Sequence, residues 1–212
     1  ERAAREAIAA ELGDGAELTE PALHHALGRA HRDGDLVYTA SSMPIRDQEA
    51  FLAPSAADAL FLSNRGANGI DGLVSAAIGA ARASRRPTTA ITGDLGLLHD
   101  LGGLAAAGEA GAPLRIVVID NDGGGIFHFL PQSDALGAEE FEALFGTPRG
   151  LDPARVAALF DLPHRRLESL AELPDALAAG GLISVRTDRR ANVAAHRRVA
   201  ARVRAALAGL AL

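Results

Sequence analysis

Two short apolar runs of this 212-residue chain end in residues that could do chemistry. Thr88–Thr92 passes into Gly93-Asp94, and Leu114–Ile119 passes into Asp120-Asn121-Asp122-Gly123-Gly124-Gly125. Asp94 and Asn121 stand 27 residues apart, the length of one strand-helix-strand crossover, so neighbouring parallel strands would bring a carboxylate and an amide oxygen to one rim of a sheet. These are hard oxygen ligands of the kind magnesium takes, in an octahedral shell usually completed by water and phosphate oxygens. The free N–H groups of a helix starting at Asp94 would help to hold the phosphates. Either segment alone is ordinary turn chemistry, because Gly, Asp and Asn dominate turns. Together, at crossover spacing, they read as a magnesium-diphosphate site.

The elements that must position this pair are legible from periodicity. Five apolar runs, Leu36–Tyr38, Ala59–Leu62, Thr88–Thr92, Leu114–Ile119 and Leu182–Val185, are bounded by turn residues. They alternate with helical stretches near residues 70–83, 96–108, 153–160, 170–179 and 192–207. The pattern predicts an α/β fold: a doubly wound, mostly parallel sheet with helices on both faces. Ahead of it, a helical period from Arg2 to Leu12 stops at Gly13-Asp14-Gly15, and Thr19 caps a second helix with Glu20-Pro21 in its first turn that ends before Asp33-Gly34. Residues 1–33 are thus expected to be a linker with leading helices, and 34–212 the sheet domain. The connection Gly123–Gly150 is long, which suggests a functional loop, expected to be loose without a ligand. Asp161, His164, Arg165, Arg166 and Glu168 read as a solvated charged face, and His99 and His128 receive no catalytic role.

Composition narrows the function classes. With 48% hydrophobic and 23% charged residues the chain can build a core. Its net charge is −6, its basic residues are all arginine, and no basic stripe is present, so nucleic acid is not an expected partner. The absence of cysteine excludes a disulfide framework and a thiol nucleophile, and fits a reducing cytoplasm. No apolar run reaches the roughly 20 residues of a membrane span.

Gly93-Asp94-Leu95 followed 27 residues on by Asn121 resembles the metal-diphosphate motif of thiamine diphosphate enzymes. The resemblance implies magnesium, or manganese in its place, on Asp94, Asn121 and the carbonyl of Gly123, with Gly93 and the main chain of Leu95 and Gly96 at the diphosphate. Two positions depart from the family's wording: Leu95 replaces a glycine and Asp120 an asparagine. In the segment Asn64-Arg65-Gly66-Ala67-Asn68-Gly69-Ile70-Asp71-Gly72, Ile70 falls where these enzymes prop the bent cofactor, with a carbonyl near Gly69 at the aminopyrimidine. SSMPIRD at 41–47, SNRGANGIDG at 63–72, GDLGLLHDLGGL at 93–104 and NDGGGIFHFLPQ at 121–132 are similar to one family in particular, the 2-succinyl-5-enolpyruvyl-6-hydroxy-3-cyclohexene-1-carboxylate synthases of menaquinone biosynthesis.

That family implies decarboxylation of 2-oxoglutarate and addition of the succinyl-semialdehyde carbanion to isochorismate. Both substrates carry two carboxylates, and Arg46 and Arg65, each following an apolar run, offer the planar fork that binds them. The resemblance assigns them to substrate together with Ser42, and gives Phe127 and Leu130 the wall that keeps water off the reacting carbon. The glutamate that activates the cofactor belongs, in this family, to an N-terminal pyrimidine-binding domain, usually of a partner subunit. Nothing here corresponds to it, so no catalytic residue is assigned, a homo-oligomer is expected, and the chain alone is expected to be inactive. Two alternatives stay open: another thiamine diphosphate-dependent 2-oxo acid enzyme, such as an acetolactate synthase-like protein, or a non-catalytic phosphate-binding module. Against the module stand the missing Walker lysine and the missing G-x-G-x-x-G after the first strand.

Overall fold

In the computed structural model, which describes residues 1–64 and 69–209, six parallel strands form one sheet. They are β1 (Leu36–Thr39), β2 (Leu60–Ser63), β3 (Thr88–Gly93), β4 (Leu114–Asp120), β5 (His164–Leu167) and β6 (Gly181–Arg186), in the order β2-β1-β3-β4-β6-β5. Successive side chains of the central strands serve opposite faces. Ala90, Ile116, Val118 and Leu182 pack under α4 (Leu73–Ser84), the 3₁₀ segment Leu101–Glu109 and α8 (Pro153–Leu159), while Ile91, Val117, Ile119, Ile183 and Val185 pack under α2 (Glu20–Ala30) and α9 (Leu173–Ala179). Burial on both faces explains why β4 reads as the continuous run LRIVVID rather than an alternation. The sheet is doubly wound, as the alternation of runs and helices predicts.

The remaining helices are α1 (Arg2–Leu12), α3 (Met43–Phe51), α5 (Asp94–His99), the single turns α6 (Gln132–Ala135) and α7 (Ala138–Phe141), and α10 (Arg189–Ala208). Thr19 caps α2 by accepting from the Ala22 N–H, and Leu23 and Leu27 of this helix are fully buried against the sheet. The second leading helix therefore belongs physically to the sheet's core. The helix expected at 96–108 is instead α5 followed by the 3₁₀ segment, with the chain kinked at Asp100, which turns its carboxylate onto the Ser75 N–H at 2.7 Å and the Ser75 hydroxyl at 2.8 Å.

One expectation is refined and one corrected. The charged side chains around His164 lie at the surface or half-buried, in keeping with a solvated face, but their backbone is β5, paired with β6 at the sheet edge, with Arg165 and Arg166 facing Glu172 and Glu168. Gly123–Gly150, expected as one long loop, is largely a series of short helical turns, Gly125–Phe129, α6, α7 and the π-turn Glu142–Gly146. No described helix is long and apolar enough to cross a membrane.

Candidate functional site

The sheet order reverses between β1 and β3, where open parallel sheets bind ligands beyond the carboxyl ends of their strands. A cleft of about 180 Å³ lies there. Register sets its floor: Gly93 is level with Ile119, and Asp120 with Arg186, so the residues after β3 and β4 emerge side by side. On the β1 side the chain turns into α3 through Ser42, whose φ of 74° is uncommon for a residue with a side chain. This turn is tied by the Ser41 hydroxyl donating to the Asn64 carbonyl at 2.9 Å and by Arg46 Nη1 donating to the Ser42 carbonyl at 2.5 Å.

Asp94 opens α5 and is 2% exposed. Burial above all, with the charges of Asp120 and Asp122, pushes its carboxyl from 3.8 up to about 6, against backbone hydrogen bonds from Leu95 and Gly123 that act the other way. Its Oδ2 is buried with no hydrogen-bond partner among the described residues. Asn121 donates from Nδ2 to Glu20 Oε1 at 3.0 Å, and its Oδ1 is likewise buried and unpartnered. Glu20 also accepts from the Thr187 hydroxyl at 2.9 Å. Burial raises its carboxyl from 4.5 to about 7, opposed by the Asn121 and Thr187 hydrogen bonds. Asp120, by contrast, is paired with Arg186 at 2.8 Å.

The loop after β4 fits against itself so closely that side chains are excluded. A Cβ at Gly123, where φ is +137°, would lie 2.0 Å from the Gly146 carbonyl oxygen. The Gly124 N–H donates to that same oxygen at 2.7 Å. Asp122 Oδ1 accepts from the N–H groups of Arg149 and Gly150 at 3.0 and 2.8 Å, closing the two ends of the loop on each other. The Gly123 carbonyl itself accepts from the Gly125 N–H at 2.9 Å. Phe127, at the cleft, meets Phe145 edge to face at 5.4 Å.

Of the residues singled out in the sequence, Ser42, Ile70, Gly93, Asp94, Leu95, Gly96, Asn121, Gly123 and Phe127 line this one cleft. Arg46, Gly69 and Leu130 are exposed and do not line it, and Arg65 lies outside the described residues. Glu20 lines it without having been singled out as a site residue: in the sequence it appears only as a first-turn acid of α2, and nothing local signals a contact with a residue 101 positions on. Among the described residues no group of three or more His, Cys, Asp or Glu side chains is placed to hold a metal. Among the described residues the cleft offers unpartnered carboxylate oxygens on Asp94 and Glu20 and an unpartnered amide oxygen on Asn121, a donor set that suits a cation keeping other oxygen ligands of its own.

A parallel sheet with these loops at its switch point defines a class, and the family comparison agrees: residues 54–185 match the model of the thiamine pyrophosphate enzyme, C-terminal TPP binding domain, and the chain belongs to that family. Among individual proteins it is 44% identical over 211 aligned positions to the 2-succinyl-5-enolpyruvyl-6-hydroxy-3-cyclohexene-1-carboxylate synthase of Myxococcus xanthus (strain DK1622), covering 97% of this chain and 36% of that one. The synthases of the same name from Chloroflexus aurantiacus and Sorangium cellulosum are 43% and 47% identical, over 94% and 85% of this chain and 34% and 30% of theirs. The chain spans about a third of the length of these curated relatives.

Proposed function

We propose that this chain supplies the metal-diphosphate half of the active site of a thiamine diphosphate-dependent synthase of menaquinone biosynthesis, which decarboxylates 2-oxoglutarate and joins the remaining four-carbon unit to isochorismate. One observation carries the reading: Asp94 Oδ2 and Asn121 Oδ1, from the ends of adjacent strands, are both buried in one cleft and have no partner among the described residues. In a closed protein such atoms are costly, and a bound cation relieves both at once. Magnesium, or manganese, would be held by Asp94, Asn121 and the Gly123 carbonyl, and a cation there would draw the raised Asp94 carboxyl back into its charged form. Gly93 and the main chain of Leu95 and Gly96 take the diphosphate, and Gly69 and Ile70 meet the cofactor's remaining body.

Thiamine diphosphate, when bound, supplies the ring that accepts the electron pair released with carbon dioxide. The chain's own residues bind and shield. Ser42, Arg46 and Arg65 orient the substrate carboxylates, and Phe127 and Leu130 exclude water. At about 180 Å³ the cleft is smaller than the roughly 300–1,000 Å³ of complete ligand pockets. The other wall is assigned to a pyrimidine-binding domain carrying the activating glutamate, contributed within a homo-oligomer, and this agrees with the share of its relatives that the chain spans.

Calorimetric titration of thiamine diphosphate into the chain, with and without magnesium, tests the reading. The expected result is magnesium-dependent binding that Asp94→Ala abolishes. If the chain alone does not bind, the N-terminal domain of a relative is added in trans. Absence of both binding and carbon dioxide release from 2-oxoglutarate in that mixture would overturn the proposal.

A further inference from the structure

Glu20 sits in the first turn of α2, is 1% exposed, and reaches across the fold to the loop after β4. Its Oε1 accepts twice, from Asn121 Nδ2 at 3.0 Å and from the Thr187 hydroxyl at 2.9 Å. Thr187 is in turn fixed by its own N–H, which donates to the Asp120 carbonyl at 3.0 Å, so the acceptor is held against the end of β4 from two directions. A carboxamide is nearly symmetric in shape, and which end points where is decided only by its hydrogen bonds. With Glu20 Oε1 in place, the flipped amide would set two acceptor oxygens against each other. The observed orientation leaves Oδ1, the only end that can ligate a cation, without a partner among the described residues. Oε1 is an acceptor while Glu20 is ionised and also when its proton sits on Oε2, the oxygen with no partner among the described residues.

We infer that Glu20 is a positioning residue, which holds the Asn121 amide with its oxygen free for the metal; for the metal this rests on the proposed function above. Two readouts on the full chain test it. In the metal-free chain, side-chain amide NMR is expected to show one Asn121 Nδ2 proton shifted downfield and slow to exchange. Glu20→Ala should abolish both features, and Glu20→Gln, which keeps an acceptor oxygen, should retain them. Unchanged Asn121 amide signals in Glu20→Ala would overturn the inference, whatever the metal does.

The second readout is Mn²⁺ binding in the presence of thiamine diphosphate, followed by the electron paramagnetic resonance of free Mn²⁺. Glu20→Ala should weaken it about 10- to 100-fold, the usual effect of removing a partner that orients a metal ligand, with Glu20→Gln within about threefold of the parent. In an Asn121→Asp background either oxygen can ligate, so Glu20→Ala should produce no further loss. An equal loss in that background would reduce Glu20 to a packing residue and overturn its positioning role. If instead the parent chain takes up no Mn²⁺ with thiamine diphosphate, or Asp94→Ala takes it up equally well, the metal-diphosphate reading is what fails, and the amide signals still decide what Glu20 does.

Discussion

Asp35 and Asp94 are buried almost equally, at 5% and 2% exposure, yet they lie at opposite ends of the central strands and are served differently. Asp35, just before β1, accepts from the Arg32 N–H at 2.9 Å and faces Arg115 at 3.5 Å. Arg115 is itself shared with the Leu177 carbonyl at 2.8 Å and the Thr89 hydroxyl at 3.4 Å. At the other end Asp94 keeps an oxygen with no partner among the described residues, in the same cleft as an asparagine oxygen in the same condition. Buried polar groups in folded proteins are overwhelmingly satisfied. The strand end that closes on itself reads as structural, and the open oxygens at the other end are the observation on which the proposed ligand site rests.

Breaking the satisfied end should have the largest effect. Arg115→Ala leaves Asp35 buried beside a void and should destabilise the chain by about 3 kcal/mol in urea unfolding, without altering magnesium-dependent cofactor binding. Unchanged stability would remove the contrast. Gly123→Ala, which forces a Cβ against the Gly146 carbonyl at positive φ, should cost about 2–3 kcal/mol and weaken cofactor binding as well, since it displaces the loop that carries Asn121.

The open end makes a prediction of opposite sign. Because the folded Asp94 carboxyl titrates near 6 rather than 3.8, the folded chain holds a proton that the unfolded chain releases, and stability falls as pH rises through that window. Glu20, raised from 4.5 to about 7, extends the fall upward. Asp94→Asn should therefore stabilise the ligand-free chain at pH 8, by on the order of 2 kcal/mol, and have little effect near pH 4. Magnesium with thiamine diphosphate should flatten the parent's profile in the same way. A variant that unfolds like its parent at pH 8 would show that Asp94 is not an uncompensated charge. The smallest effect is expected at Arg46, which is exposed: Arg46→Ala should change stability by less than about 0.5 kcal/mol, and the proposed function adds the expectation of a raised KM for 2-oxoglutarate in the complete enzyme.

Five apolar runs were legible as strands because each is buried on at least one side or carries residues that favour an extended chain, and all five lie in the sheet. β5 was hidden because His164, Arg165 and Arg166 form no apolar run; an edge strand needs only one neighbour's backbone and keeps its charges in solvent. α3 was legible only as a motif. Its buried positions are Met43, Pro44, Asp47 and Phe51, and an acid and a proline among four break the apolar stripe by which a helix is read.

The sequence by itself placed a carboxylate and an amide on the same rim, because both follow parallel strands joined by one crossover; that β3 and β4 are direct neighbours, unlike β2 and β3 or β4 and β5, was decided by the sheet. It also determined the glycines at 123 and 124, whose need becomes visible once the loop closes on Gly146 and Phe145. Only the tertiary structure decided which oxygens stay open. That choice rests on Glu20, Thr187 and Asn121, which lie far apart along the chain and are brought together by the packing of α2 on the sheet, and no local pattern records a hydrogen bond between residues 101 positions apart.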